Sequence, residues 1–136
     1  MSESFEEMYL SDNWIHERVL WIKDASDSEV QWAYRNCDAL VYPPKAEGFG
    51  LPLVEAAHFR MPILCSDIPV FHEVVGDNAD YFQVDDVDSL SEALVRWIRS
   101  DKHPDSGMVR IHTWKECAAE VLDILNDRTE PYAVLS

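Results

Sequence analysis

Short apolar runs alternate with amphipathic stretches along most of this chain. Arg18-Val19-Leu20-Trp21-Ile22, Ala39-Leu40-Val41-Tyr42, Pro62-Ile63-Leu64-Cys65 and Tyr81-Phe82-Gln83-Val84 have the length and side-chain content of strands. Between them, apolar residues recur at helical spacing. Ser26-x-x-Glu29 is a capping box opening a helix with Val30, Ala33, Tyr34 and Cys37 on one face. Ser66 to Val74 reads as a loop into a short helix with Pro69 in its first turn, and Leu90, Leu94, Trp97 and Ile98 mark another helix that ends before His103-Pro104. A second capping box, Thr113-x-x-Glu116, precedes Trp114, Cys117, Ala118, Val121, Leu122 and Leu125 at helical spacing. Strands alternating with helices predict an α/β fold: a parallel sheet of about four strands flanked by helices, with ligands at the strands' carboxyl ends. Residues 1–17 read as an acidic, aromatic arm or helix, 18–126 as the folded domain and 127–136 as a loose tail.

The densest local signal follows the second strand. After the breaker pair Pro43-Pro44 comes Ala46-Glu47-Gly48-Phe49-Gly50-Leu51-Pro52-Leu53-Val54-Glu55-Ala56, a glycine-containing loop running into a helix that ends near His58. A helix N-terminus carries unpaired N–H groups and the positive end of the macrodipole, so it suits phosphate. Gly48 and Gly50 let the backbone turn and approach a ligand, and Pro52 sits in a first turn where its missing N–H costs nothing. With the helix starting near Gly50, Glu55 lies roughly 7.5 Å along the axis. Glu47 stays in the loop on the other side of the helix start. A diphosphate held there has a carboxylate on each side, able to accept hydrogen bonds from hydroxyls, which is the layout of a nucleotide sugar: ribose, diphosphate, hexose.

Composition narrows the classes. The length of 136 residues suits one domain, and 47% hydrophobic with 27% charged residues is ordinary for a globular protein. No apolar run reaches a membrane span, and the acidic N-terminus is not a signal peptide, so a cytoplasmic protein with no transmembrane segment is expected. A formal charge of −15 argues against nucleic acid and anionic lipid as partners. Cys37, Cys65 and Cys117 show no metal or disulfide spacing and read as reduced core residues. Asp85, Asp86 and Asp88 lack the glycine and spacing of a calcium loop and read as capping residues. His72 and His58 read as surface or locally satisfied histidines.

Glu-Gly-Phe-Gly-Leu-Pro-x-x-Glu-Ala resembles the E-x7-E motif of the family 4 (group 1) retaining glycosyltransferases of the GT-B fold. The resemblance runs over residues 18–125. It implies a partial Rossmann-like sheet, the C-terminal half of a GT-B enzyme. It further implies that Glu47 contacts the donor sugar and acts catalytically, that Glu55 holds the ribose hydroxyls, and that Gly48 and the amides of Phe49, Gly50 and Leu51 meet the donor. The family needs no cofactor and no catalytic metal, only its nucleotide-sugar donor. The wording Asp-Ile-Pro-Val-Phe-x-Glu from Asp67 to Glu73 is similar to surface-polysaccharide mannosyltransferases, which points to GDP-mannose.

The chain departs from the family in what precedes residue 18. The acceptor-binding domain and the first two strands of the donor domain, with an Arg and a Lys that grip the diphosphate, have no counterpart here, so the domain reads as truncated on its N-terminal side. Arg18–Ile22 is then expected to pair directly with Ala39–Tyr42, because a buried strand without ladder partners leaves backbone groups unpaired. The alternative is that another protein chain, or the missing N-terminal domain, completes the sheet by edge addition. Lys23 reads as a neighbour of the nucleotide base or a solvated lysine, and Glu73 as a local anchor. Arg60 stands where the family often has glycine. Two function classes remain open: a donor-binding part of a sugar transferase, inactive alone, or a non-catalytic docking module with exposed aromatic surface at Trp14, Trp21 and Trp114. Another GT-B enzyme, such as a relative of glycogen or sucrose synthase, differs from the first mainly in substrate.

Overall fold

A computed structural model of the chain describes residues 5–126. The chain divides after Ala33 into two compact units.

The first unit is helical. α1 (Phe5–Ser11) and α2 (Asn13–Arg18) are joined at Asp12, whose carboxylate caps α2 by accepting from the amides of Trp14 and Ile15. Arg18–Ile22 is not a strand and pairs with nothing in the sheet, which corrects the four-strand expectation. Local bonds decide this. Arg18 completes α2 and donates from Nη1 to the Trp14 carbonyl at 3.2 Å, and the Val19 amide closes the helix on the Ile15 carbonyl. Leu20 and Ile22 are exposed, while Trp21 packs edge-on against Phe5 and Tyr9 at centroid distances of 5.2 and 5.6 Å. Lys23 is not free in solvent: its Nζ lies 2.6 Å from Glu6 and over the Trp21 ring. α3 (Asp27–Asn36) runs across the division, with Tyr34 the first residue of the second unit, and opens on the expected capping box, the Ser26 amide donating to Glu29 Oε2 at 2.9 Å.

The second unit holds an open sheet of three parallel strands, β1 (Leu40–Tyr42), β2 (Ile63–Ser66) and β3 (Asp80–Phe82), in the order β1-β2-β3. β2 is buried along its whole length, which explains its unbroken apolar run. Its side chains alternate between faces. Ile63 and Cys65 join Leu53, Ala56 and Ala57 of α4 (Leu51–His58) and Phe71 of α5 (Pro69–Val74) in one core cluster. Leu64 packs with Phe82 and with Ala93, Leu90 and Leu94 of α6 (Val87–Arg99). The register sets Val41 beside Leu64, yet Val41 is exposed, so α6 leaves that face of β1 uncovered. α7 (Trp114–Leu125) carries the expected reciprocal capping box of Thr113 and Glu116 but buries none of its residues.

α4 ends in a tight reversal. The Met61 amide donates to the Ala56 carbonyl and the Arg60 amide to the Ala57 carbonyl, with Arg60 left-handed at φ 57°. This is the turn that usually takes glycine, and Arg there costs on the order of 1 kcal/mol. Across this corner, Ser106 Oγ donates to the Met61 carbonyl at 2.8 Å. Of the cysteines, Cys65 is buried and Cys117 half-buried, but Cys37 is exposed, which corrects its reading as a core residue: it follows the last turn of α3 and faces solvent. The tail read at 127–136 lies outside the described residues.

Candidate functional site

β1 ends at Tyr42, where Pro43 and Pro44 remove two ladder donors, and the chain passes through Lys45 to Phe49 before α4 begins. Gly50 is the N-cap of α4, with φ 88° and ψ 53°. Only glycine takes that conformation without strain, and packing sets a second requirement. A Cβ on Gly50 would lie 2.7 Å from Cε1 of Phe71, a fully buried ring. No side chain caps α4, and Pro52 removes one first-turn donor, leaving backbone N–H groups and the helix dipole as the local positive potential. This is the strand–loop–helix junction expected from the motif, at the carboxyl end of β1.

Both motif carboxylates are exposed, and each is held by a tyrosine from another element. Tyr42 donates its hydroxyl to Glu47 Oε1 at 2.5 Å, while the Gly48 amide donates to Glu47 Oε2 at 3.1 Å. The bond to Glu47, with burial second, pushes the Tyr42 phenol up to about 12. Tyr34, on α3, donates to Glu55 Oε2 at 2.9 Å. Burial, then the bond to Glu55, moves its phenol well above the ordinary range. The two rings are themselves braced: Tyr34 stacks on Phe59 at 5.7 Å, and Tyr42 leans on Phe71 at the same distance. Residue spacing around the motif carries no sign of these tyrosines. Tyr42 closes a strand and Tyr34 sits on an apolar helix face, where both read as core aromatics.

Lys45 Nζ is 2.5 Å from Asp85, joining the motif loop to the turn after β3, where Asp85 is itself left-handed at φ 59°. Asp86 caps α6 by accepting from the Ser89 amide, as its capping reading requires. Beside the loop opens a cleft of about 1180 Å³. Gly48, Phe49 and Leu51 form one wall, α5 a second, and residues 108–112 with Trp114 and Cys117 a third. His72, Arg110 and His112 bring basic groups to it, and Glu73 a carboxylate; neither Glu47 nor Glu55 lines it. The segment 108–112 carries no motif, so only the fold brings it to the cleft.

His72 is a satisfied histidine. Its Nε2 lies 2.7 Å from Asp67 Oδ1, Gln83 Nε2 donates to Asp67 Oδ2 at 2.7 Å, and the ring stacks on Tyr81 at 4.2 Å. The His72 and Gln83 bonds hold the Asp67 carboxyl below its ordinary range. Among the described residues no group of three or more His, Cys, Asp or Glu side chains is placed to hold a metal ion, and no helix is long and apolar enough to cross a membrane.

Known proteins share this arrangement of sequence. Serotype-specific mannosyltransferase WbdA of Escherichia coli is 32% identical over 111 residues, covering 79% of this chain and 14% of that protein. The O-antigen chain mannosyltransferase RfbU of Salmonella typhimurium is 40% identical over 80 residues, covering 59% of this chain and 23% of that protein. The MMP alpha-(1->4)-mannosyltransferase of Mycolicibacterium hassiacum is 29% identical over 109 residues, covering 73% and 26% respectively. The chain thus spans about a seventh to a quarter of these relatives' lengths. The model of the family described as glycosyl transferases group 1 matches residues 7–107, most of the sequence, and takes in the whole Glu47–Glu55 junction. By that match the chain belongs to the group 1 glycosyl transferases.

Proposed function

We propose that this chain is the donor-binding part of a retaining hexosyltransferase that draws on a nucleotide sugar without a catalytic metal. The observation that carries the reading is the junction itself: two carboxylates, held by Tyr42 and Tyr34, on either side of a helix start that glycine has turned open. The α4 N-terminus receives the diphosphate, Glu55 accepts the ribose hydroxyls, and Glu47 orients the hexose and stabilises the charge that develops on it. Gly48, Phe49, Gly50 and Leu51 supply the backbone that closes on the donor. The mannosyltransferase names of the relatives, and the O-antigen chain in the name of RfbU, favour GDP-mannose as donor and a surface-polysaccharide acceptor, saccharide or lipid-linked.

Calorimetric titration of the chain with GDP, UDP and ADP tests this. One nucleotide binds, and Glu55→Ala weakens it by about tenfold or more, the scale of a hydrogen bond to a charged group. Binding that is unchanged by Glu55→Ala, or absent for all three, refutes the reading.

A second reading is favoured by α7, where Trp114 is 92% exposed and Leu125 74%. Apolar surface of that kind suits a docking module that binds no nucleotide alone and works only against a partner chain. The same titration separates the two.

A further inference from the structure

Resting on the donor reading above, we propose that Tyr34 is a positioning residue for the ribose: it fixes Glu55 in one rotamer and leaves carboxylate oxygen Oε1 to discriminate the ribose hydroxyls.

The two motif glutamates are held differently. Glu47 has a donor on each oxygen, Tyr42 on Oε1 and the Gly48 amide on Oε2. Glu55 takes the Tyr34 hydroxyl on Oε2. A carboxylate has about four acceptor sites, so one phenol on Oε2 leaves Oε1 and part of Oε2 for a vicinal diol. Without that phenol, an exposed glutamate on a helix surface samples several rotamers and loses that freedom on binding. With it, the rotamer is selected in advance.

Tyr34 is built for the task. It comes from α3, an element separate from the motif helix, and bridges 21 residues of sequence to reach Glu55. Its ring is nearly parallel to Phe59, the residue that closes α4, at an interplanar angle of 10°. The Arg35 guanidinium lies over the same Phe59 ring at 4.8 Å. The hydroxyl therefore stands at a fixed height beside the motif helix. It is a donor throughout the ordinary pH range, since burial and the carboxylate both oppose its ionisation.

Tyr34→Phe is a clean perturbation, because the phenylalanine ring keeps the stack on Phe59 and Glu55 remains solvated. The readout is the affinity of each nucleoside diphosphate (GDP, UDP, ADP) and of its 2′,3′-dideoxy counterpart, measured by calorimetry on the chain. The wild type binds the ribose form more tightly. Tyr34→Phe weakens that form by roughly three- to tenfold, the range of one hydrogen bond, and leaves the dideoxy form unchanged. A purely structural role moves both forms by the same factor, and that result overturns the proposal, as does no change in either. A double-mutant cycle with Glu55→Gln gives a readout that corrects for any loss of stability. Coupling on the ribose form is expected, and additive effects overturn the proposal. If the wild type binds a diphosphate and favours ribose but Tyr34→Phe behaves alike, only this inference falls. If the wild type binds none, or does not distinguish ribose, the donor reading falls with it.

Discussion

Replacing Gly50 by alanine isolates the geometry on which the motif junction depends. Two costs arise at one atom. The backbone stands at φ 88°, in the left-handed region, where a Cβ costs roughly 1–2 kcal/mol. The same Cβ would lie 2.7 Å from Phe71 Cε1 and 3.2 Å from Cδ1, so the ring must move. Phe71 is fully buried and braces Tyr42, and forcing such a ring aside costs about 1–3 kcal/mol. The sum is about 2–5 kcal/mol, which at ~4 °C per kcal/mol lowers the melting temperature by about 8–20 °C. Gly48→Ala is the control. It has nothing within 4 Å and no positive φ, so alanine there changes stability by less than ~1 kcal/mol. Urea unfolding followed by far-ultraviolet circular dichroism compares the three chains. A Gly50→Ala chain within ~0.5 kcal/mol of Gly48→Ala would refute the argument that packing and backbone together hold the turn.

Three other perturbations follow from the contacts of the fold. Ser106→Ala strands the Met61 carbonyl at a corner where the serine is buried, and a loss of about 1–2 kcal/mol in urea unfolding is expected; no loss would mean that solvent replaces the bond. Asp67 is held below its ordinary value of 3.8, first by His72 and then by Gln83, so its contribution to stability is present above that value and lost as pH falls through the folded one. The stability difference between wild type and Asp67→Asn therefore narrows as the pH is lowered below about 4, and a difference that is flat from pH 7 to 3 would contradict the assignment. Cys65 is buried, and burial with Asp67 nearby pushes its thiol up to about 12; a disulfide-exchange reagent at pH 8 reacts with Cys37 first and with Cys65 only on unfolding.

Elements defined by short-range chemistry are legible in the sequence. The two capping boxes, the first turn at Pro69 and the Leu51–His58 helix behind its Gly50 cap needed only residues a few positions apart. The same held for β2, whose unbroken apolar run marks a strand covered on both faces. Arg18–Ile22 failed because an apolar run of strand length is ambiguous by itself. The Asp12 cap and the Ile15–Val19 bond claimed its first residues for a helix, and Trp21 found its partners in Phe5 and Tyr9 rather than in a sheet. Cys37 failed similarly: helical spacing put it on an apolar face, but α3 ends before it and nothing covers it.

The candidate site divides along the same line. The sequence by itself determined the order strand, glycine turn, helix, and with it the two carboxylates astride a helix start, since backbone conformation and capping are set within a few residues. Which groups hold those carboxylates was decided only by the tertiary structure. Tyr34 reaches Glu55 across 21 residues, and Phe71 meets Gly50 from the following helix. Such contacts depend on how Tyr34 and α5 pack against the motif helix within the second unit, and no local spacing encodes the meeting of side chains that are close in space but distant along the chain.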